Sequence, residues 1–286
     1  MQFSVTHFNT IQKIPEEILM FLHQHSAVNF EAISILEQLG ENPQAFEGIL
    51  ECISVSKQDK IQLVTCRIKP YNLLISHTMN IESIIPLVEY FKKAGISIPG
   101  IYGPAEEVKN FTETWEKLYE EEFSTSDEFL QYSLKQKKII PQLLGEISIA
   151  KSEQTELLKG WTEKSIREII PGSTEDFISS CTDSFLKLLE KHKVFILEIE
   201  NDPVSMAALS GQTKTMQAII DVYTPPEYRG KGYATELCLF LSEYILEDCK
   251  STPILWVKST NYTAIHVYEK IGFEKVAEMI LSLKEN

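Results

Sequence analysis

Between Asp221 and Thr235 the chain reads Asp-Val-Tyr-Thr-Pro-Pro-Glu-Tyr-Arg-Gly-Lys-Gly-Tyr-Ala-Thr, a run that few arrangements of backbone can accommodate. Upstream, Met216 to Tyr223 is rich in β-branched and apolar residues, the composition of a strand. Pro225 and Pro226 then remove two backbone donors and end any ladder. Downstream, Ala234, Leu237, Cys238, Leu241, Tyr244 and Ile245 recur at three- and four-residue intervals, the spacing of an amphipathic helix. A strand therefore breaks into a loop that opens a helix. The first turn of a helix has N–H groups without an internal partner, and Gly230 and Gly232 let a ligand approach the main chain with no Cβ in the way. An anion, such as a pyrophosphate, suits that opening.

Two familiar phosphate loops are excluded by spacing, because the chain has neither Gly-x-x-x-x-Gly-Lys-Ser/Thr nor Gly-x-Gly-x-x-Gly here. What remains is Arg229-x-x-Gly232-x-Ala234, followed about thirty residues later by Asn261-Tyr-Thr-Ala264-Ile-His-Val-Tyr268-Glu-Lys-Ile271-Gly272-Phe273. The pair resembles the Arg/Gln-x-x-Gly-x-Gly/Ala and Asn-x-x-Ala-x-x-x-Tyr-x-x-x-Gly-Phe blocks of the GNAT superfamily of coenzyme A-dependent N-acyltransferases. That resemblance implies acyl transfer from coenzyme A and names no acceptor; acetyl-CoA is the expected cosubstrate, a small primary amine the expected acceptor, and no metal is expected. It assigns the pyrophosphate to the backbone of Arg229, Gly230, Lys231, Gly232, Tyr233, Ala234 and Thr235, with Arg229 adding charge. It makes the strand end at Val222, Tyr223 and Thr224 the edge that splays from its neighbour and serves the pantetheine arm and the thioester carbonyl. Asn261 would hydrogen-bond that arm, cap its helix, or do both, and Tyr268 would be the general acid at the departing sulfur. Asp221 precedes Val222 on the key strand and is a candidate general base; a solvated strand-end carboxylate is the competing reading.

Composition bounds the rest. With 286 residues and 43% apolar content the chain has material for two domains with ordinary cores. It has no run of eighteen apolar residues and no basic, then hydrophobic, amino-terminal stretch, so a cytoplasmic location is expected. Cys52, Cys66, Cys181, Cys238 and Cys249 are odd in number and contain no Cys-x-x-Cys pair, which suggests reduced thiols rather than a disulfide frame or a zinc site. A formal charge of −14 argues against nucleic acid or an anionic membrane as partner and tolerates a cationic amine. Oligomeric state is open.

Along the chain, the second half alternates in the order of one α/β acyltransferase domain. A strand is expected over Gly145–Ala150, helices over Glu153 to Ile170 and Thr174 to Lys191, and three strands at Val194–Glu200, Val204–Leu209 and Met216–Tyr223 form an antiparallel meander. Ser173 with Asp176 reads as a capping box. Ile254–Val257 and Lys275–Leu283 follow as strands around the helix of the Asn261 block. In the first half, helices are expected over Pro15–His25, Asn29–Leu39, Glu82–Lys93 and Glu106–Glu122, strands over Gly48–Ser54, Ile61–Ile68 and Tyr71–Ser76, and a turn over Gly100–Pro104. The acidic, small-polar stretch from Glu120 to Asp127 marks a boundary, giving domains 1–125 and 126–286. As a whole the chain resembles a bacterial group with a degenerate amino-terminal GNAT-like domain and a complete carboxy-terminal one. Arg67-x-Lys-Pro70-Tyr71-Asn72, Pro99-Gly100-x-Tyr102-Gly103-Pro104 and Val222–Ala234 carry that likeness. The fold class implied is α/β (α+β), two tandem domains, each a mixed and largely antiparallel sheet flanked by helices. Two activities stay open: N-acetyl transfer, and coenzyme A binding without turnover as a sensor or scaffold.

Overall fold

The computed structural model describes residues 3–119, 121–142 and 144–285. The chain divides into two compact units, residues 1–131 with 276–286, and residues 132–275. Each is a mixed sheet with helices against it.

The first unit holds β1 (Phe3–Phe8), α1 (Glu16–His23), α2 (Phe30–Glu41), β2 (Ile49–Lys57), β3 (Lys60–Lys69), β4 (Leu73–Ile75), α3 (Ile84–Ala94), β5 (Gly100–Pro104) and α4 (Ala105–Tyr119). Its sheet runs β1-β2-β3-β4-β5 and continues with β12 (Glu274–Lys284), which lies antiparallel to β5. Period-two alternation explains how one sheet feeds two cores. Leu50, Cys52, Val64, Cys66 and Ile68 face α1 and α2, while Ile53, Val55 and Leu63 face α3 and α4, where Phe111 stacks on Trp115 and meets Phe91 edge-on. Arg67 is buried and its Nε donates to Glu51 at 2.6 Å, with Lys69 on the other carboxylate oxygen, so the Arg67 motif serves an internal ion cluster here.

The second unit holds β7 (Glu146–Ile149), α5 (Thr155–Ile169), α6 (Glu175–Glu190), β8 (Val194–Ile199), β9 (Asp202–Gln212), β10 (Met216–Tyr223), α7 (Tyr233–Glu243), β11 (Thr252–Lys258) and α8 (Tyr262–Ile271). Its strands run β7-β8-β9-β10-β11, antiparallel until the parallel β10–β11 step. Leu158 and Trp161 of α5 and Phe185 and Leu189 of α6 pack on Ile196, Met206 and Ala208 of the sheet. On the other face Phe195 of β8 meets Phe240 of α7.

Several expectations change. Gly100–Pro104 is a strand, not a turn: a Cβ on Gly103 would sit 2.5 Å from the Ile75 carbonyl, and one on Gly100 2.8 Å from the Ser282 carbonyl. These glycines serve close approach of neighbouring strands rather than chain reversal. Phe3–Phe8 is a strand with no counterpart in the sequence reading; Phe3 and Val5 alternate onto the α3–α4 core. The stretch placed at the domain boundary enters β6 (Phe123–Ser133), which runs through the division between the units. The last strand of the chain, residues 276–284, belongs to the first unit. Thr174, not Ser173, caps α6 by accepting from the Phe177 N–H, and the Ser173 hydroxyl instead donates to the Ile170 carbonyl. All five cysteines are free thiols.

Candidate active site

The parallel ladder between β10 and β11 ends early. Met216, Gln217 and Ala218 pair with Thr252, Pro253 and Ile254, and among the described residues this ladder goes no further along β10. On its other side β10 stays with β9, but the register shifts between Ile220 and Tyr223. The cause is local: Asp221 has φ 51, the left-handed region that a non-glycine residue rarely occupies, and this bulge turns the strand end. Ser205 of β9 holds the turned end, its hydroxyl 3.2 Å from the Tyr223 carbonyl and 2.9 Å from Thr224 Oγ1. Val222, Tyr223 and Thr224 therefore line an open gap.

The gap leads to the glycine loop. Pro226–Tyr228 make a single tight turn, and Gly230 and Gly232 follow at φ 78 and φ 87. Gly232 begins α7, and its carbonyl accepts the Glu236 N–H at 3.0 Å. The N–H groups of Tyr233, Ala234 and Thr235 come before that bond and have no partner inside the helix, and among the described residues no side-chain cap is seen at Gly232. A Cβ on Gly230 would meet nothing within 4 Å, and one on Gly232 would meet only Leu144 at 3.5 Å and Gln142 at 3.9 Å. This is a cradle of bare backbone, and its residues fit a pyrophosphate.

Arg229 is not simply extended into that cradle. Its Nη2 donates to Glu168 of α5 at 2.6 Å and its Nε to the Thr224 carbonyl at 2.8 Å, with the guanidinium 5.6 Å from the Tyr223 ring. The Tyr223 hydroxyl donates to the other Glu168 oxygen at 3.2 Å. Lys231 lies 5.9 Å over the Tyr228 ring. Asn261 is the N-cap of α8, accepting from the Ala264 N–H at 3.1 Å, so the capping reading is seen directly. Tyr268 is buried on α8, edge-to-face with Phe273 at 5.9 Å. Burial first, and then the Cys238 thiol of α7, holds its phenol well above the ordinary range and thus protonated.

Asp221 lies in the wall of a cavity of about 180 Å³ between α5, α6 and the strand bulge. Ile166, Ile169, Ile170, Phe177 and Met206 supply the apolar lining, with Cys181 beside the carboxylate. The Asp221 side chain stays open to solvent along the cavity, yet the protein packed around it pushes its pKa up to about 6. Burial, then the Asp221 charge, raises the Cys181 thiol. Sequence reasoning missed Glu168, Ser205 and Cys181. Glu168 lies 61 residues from Arg229 on a helix whose pattern marks only its buried face, so nothing local signals the pairing.

Residues 152–273 match the Acetyltransferase (GNAT) family. An uncharacterized N-acetyltransferase of Archaeoglobus fulgidus is 31% identical over 85 residues, which is 28% of this chain and 58% of that protein. A second, from Methanocaldococcus jannaschii, is 28% identical over 87 residues, 28% of this chain and 38% of that protein. The aligned part thus spans less than two thirds of either relative. A GNAT-family acetyltransferase structure from Colwellia psychrerythraea superposes with TM-score 0.59 at 14% identity over 99% of this chain and 100% of its own. A tandem GNAT protein from the clavulanic acid biosynthesis pathway gives 0.53 at 11% identity over 98% of each chain. At these identities the structures establish a shared fold. Residues 152–273, the segment that carries the strand gap and the glycine cradle, are thus the part of the chain that matches the GNAT acetyltransferase family.

Proposed function

We propose that the protein transfers an acetyl group from acetyl-CoA to a primary amine by direct attack. The observation that carries this reading is that the β10–β11 pairing ends at Ala218 and that, a few residues on, the chain starts α7 at Gly232 without a side-chain cap, so a freed strand edge and an anion cradle follow one another. Acetyl-CoA supplies the activated acetyl group. The Arg229 N–H is taken by the Pro226 carbonyl, so the backbone N–H groups from Gly230 to Thr235 hold the pyrophosphate, with Lys231 adding charge. The β10 edge at Val222, Tyr223 and Thr224 aligns the pantetheine arm, and a backbone N–H there stabilises the negative charge that builds on the carbonyl oxygen. Asp221 takes the proton of the attacking amine, for which a pKa of about 6 suits neutral pH. Tyr268, kept protonated by burial, donates to the departing sulfur.

Two observations support a second reading, coenzyme A binding without turnover: the phenol of Tyr268 lies deep in the unit, and Arg229 is engaged by Glu168. Calorimetric titration with acetyl-CoA, followed by release of free thiol in the presence of amines, separates the two. Binding with thiol release supports transfer, binding alone supports the sensor, and no binding removes both. Gly232→Glu, which places a charged side chain at φ 87 in the cradle, is expected to abolish binding.

A further inference from the structure

The α5–α6 cavity sits against the bulge residue that would face the acceptor, so its lining specifies what that acceptor is. Its carboxylate is Asp221, on the wall formed by β10. Around it the surface is aliphatic and aromatic, and the polar lining groups Thr162, Ser165 and Cys181 carry no formal charge. Ile169 and Phe177 remain 42% and 44% exposed, large apolar side chains left open to water where the cavity lies. Exposed apolar groups gathered around one pocket mark a surface meant to be covered. At about 180 Å³ the space is of the size that receives a single ring or a short branched chain, since engineered apolar cavities of roughly 150 Å³ bind benzene.

Resting on the acetyltransferase reading above, we infer that the acceptor is a compact monoamine with an apolar body, an arylalkyl- or branched alkylamine, its nitrogen at Asp221 and its body between α5 and α6. Polyamines, amino sugars and amino acids fit poorly. A second ammonium finds no second carboxylate among the lining residues, hydroxyls would leave water for isoleucine, and an α-carboxylate would face Asp221. The amine adds through its nitrogen to the acetyl carbon and one nitrogen proton goes to Asp221; the carbon–sulfur bond breaks as the sulfur takes the Tyr268 phenol proton, so coenzyme A leaves as the thiol, and solvent returns the Asp221 proton to Tyr268.

The test is kcat/KM for phenethylamine, isoamylamine, spermidine, glucosamine and lysine with the full chain and acetyl-CoA. Phenethylamine and isoamylamine should lead. Ile169→Asp, at a half-exposed position the fold tolerates, should lower kcat/KM for phenethylamine about tenfold, the loss of one apolar contact, and raise it for spermidine. Calorimetry with acetyl-CoA on the same preparations keeps the two conclusions apart. Absent binding removes the acetyltransferase reading and this inference with it. Intact binding with spermidine or lysine preferred, or with no change of preference in Ile169→Asp, overturns the acceptor assignment alone, whereas intact binding with no amine turned over leaves the sensor reading and removes the transferase reading together with this inference.

Discussion

Replacing Asp221 by Asn tests the chemistry at the strand bulge, and the pH profile gives the test its power. An alkylamine with a pKa near that of lysine, about 10.4, is free base in roughly one molecule in a few thousand at pH 7. If Asp221 receives the amine's proton, the abundant ammonium and the carboxylate form a productive pair. Then kcat/KM should be flat from about 6, where Asp221 ionises, up to the pKa of the amine. The carboxyl must be charged to act, so activity is kept above that value and lost below it. At pH 5 about one Asp221 in ten is ionised and kcat/KM should fall about tenfold. In Asp221→Asn only the free amine reacts: kcat/KM should rise about tenfold per pH unit with no plateau and lie about 10²–10⁴-fold lower at pH 7. Thiol release at saturating acetyl-CoA between pH 5 and 9 measures both curves. Stability supplies a control with its own sign: a carboxyl whose pKa is raised on folding costs stability above that pKa, so the Asn variant should melt higher at pH 7.5 and equally at pH 4. A wild-type curve that climbs tenfold per unit through pH 6–9, or a plateau that survives in the variant, would refute the base role.

Tyr268→Phe should reduce turnover while leaving the calorimetric affinity for acetyl-CoA within about twofold, because the phenol acts at the sulfur and not on the phosphates; equal turnover would reject the acid role. Glu168→Gln releases Arg229 from a half-exposed ion pair, and since such pairs contribute about 0.2–1 kcal/mol, acetyl-CoA should bind roughly 1.5- to 5-fold more tightly; weaker binding would mean that Glu168 positions Arg229 instead of competing for it. In the first unit, His77 Nδ1 lies 2.9 Å from Glu107. The hydrogen bond to Glu107 raises the His77 pKa, while at Glu107 burial is outweighed by its bonds from His77 and Thr78, so its pKa falls. The raised histidine contributes stability below its ordinary 6.5 that fades as pH rises through its folded value, and the lowered carboxylate contributes above its ordinary 4.5 and fades on acidification. The melting-temperature deficit of Glu107→Gln should therefore be widest between pH 5 and 6 and shrink by pH 9, and a deficit that grows with pH would contradict the pairing.

What the sequence disclosed and what it withheld divide along contact distance. The strand, loop and helix were legible because they are contiguous: a strand, two prolines, two glycines and an amphipathic helix follow one another within Met216–Ile245, and each element is dictated by residues a few positions away. The Asn261 cap is likewise a matter of three residues. Gly100 and Gly103 misled because glycine signals both a turn and a close approach, and only the neighbouring carbonyls of Ser282 and Ile75 decide between them. β6 hid behind acidic and small-polar residues at its start, where pairing to other strands overrides weak local preference. Glu168 and the cavity over Asp221 depend on side chains tens of residues apart and have no local signature. Asp221 is the instructive case between these extremes. A run of β-branched and apolar residues favours continuous extended backbone through Tyr223, and the structure instead places a non-glycine residue at φ 51 in that run. Such a conformation costs about 1–3 kcal/mol and persists only where the surroundings enforce it. Here it lies where the strand pairing ends and sets a carboxylate at the cavity wall, so a point where local preference and structure conflict is also the point where the proposed chemistry converges.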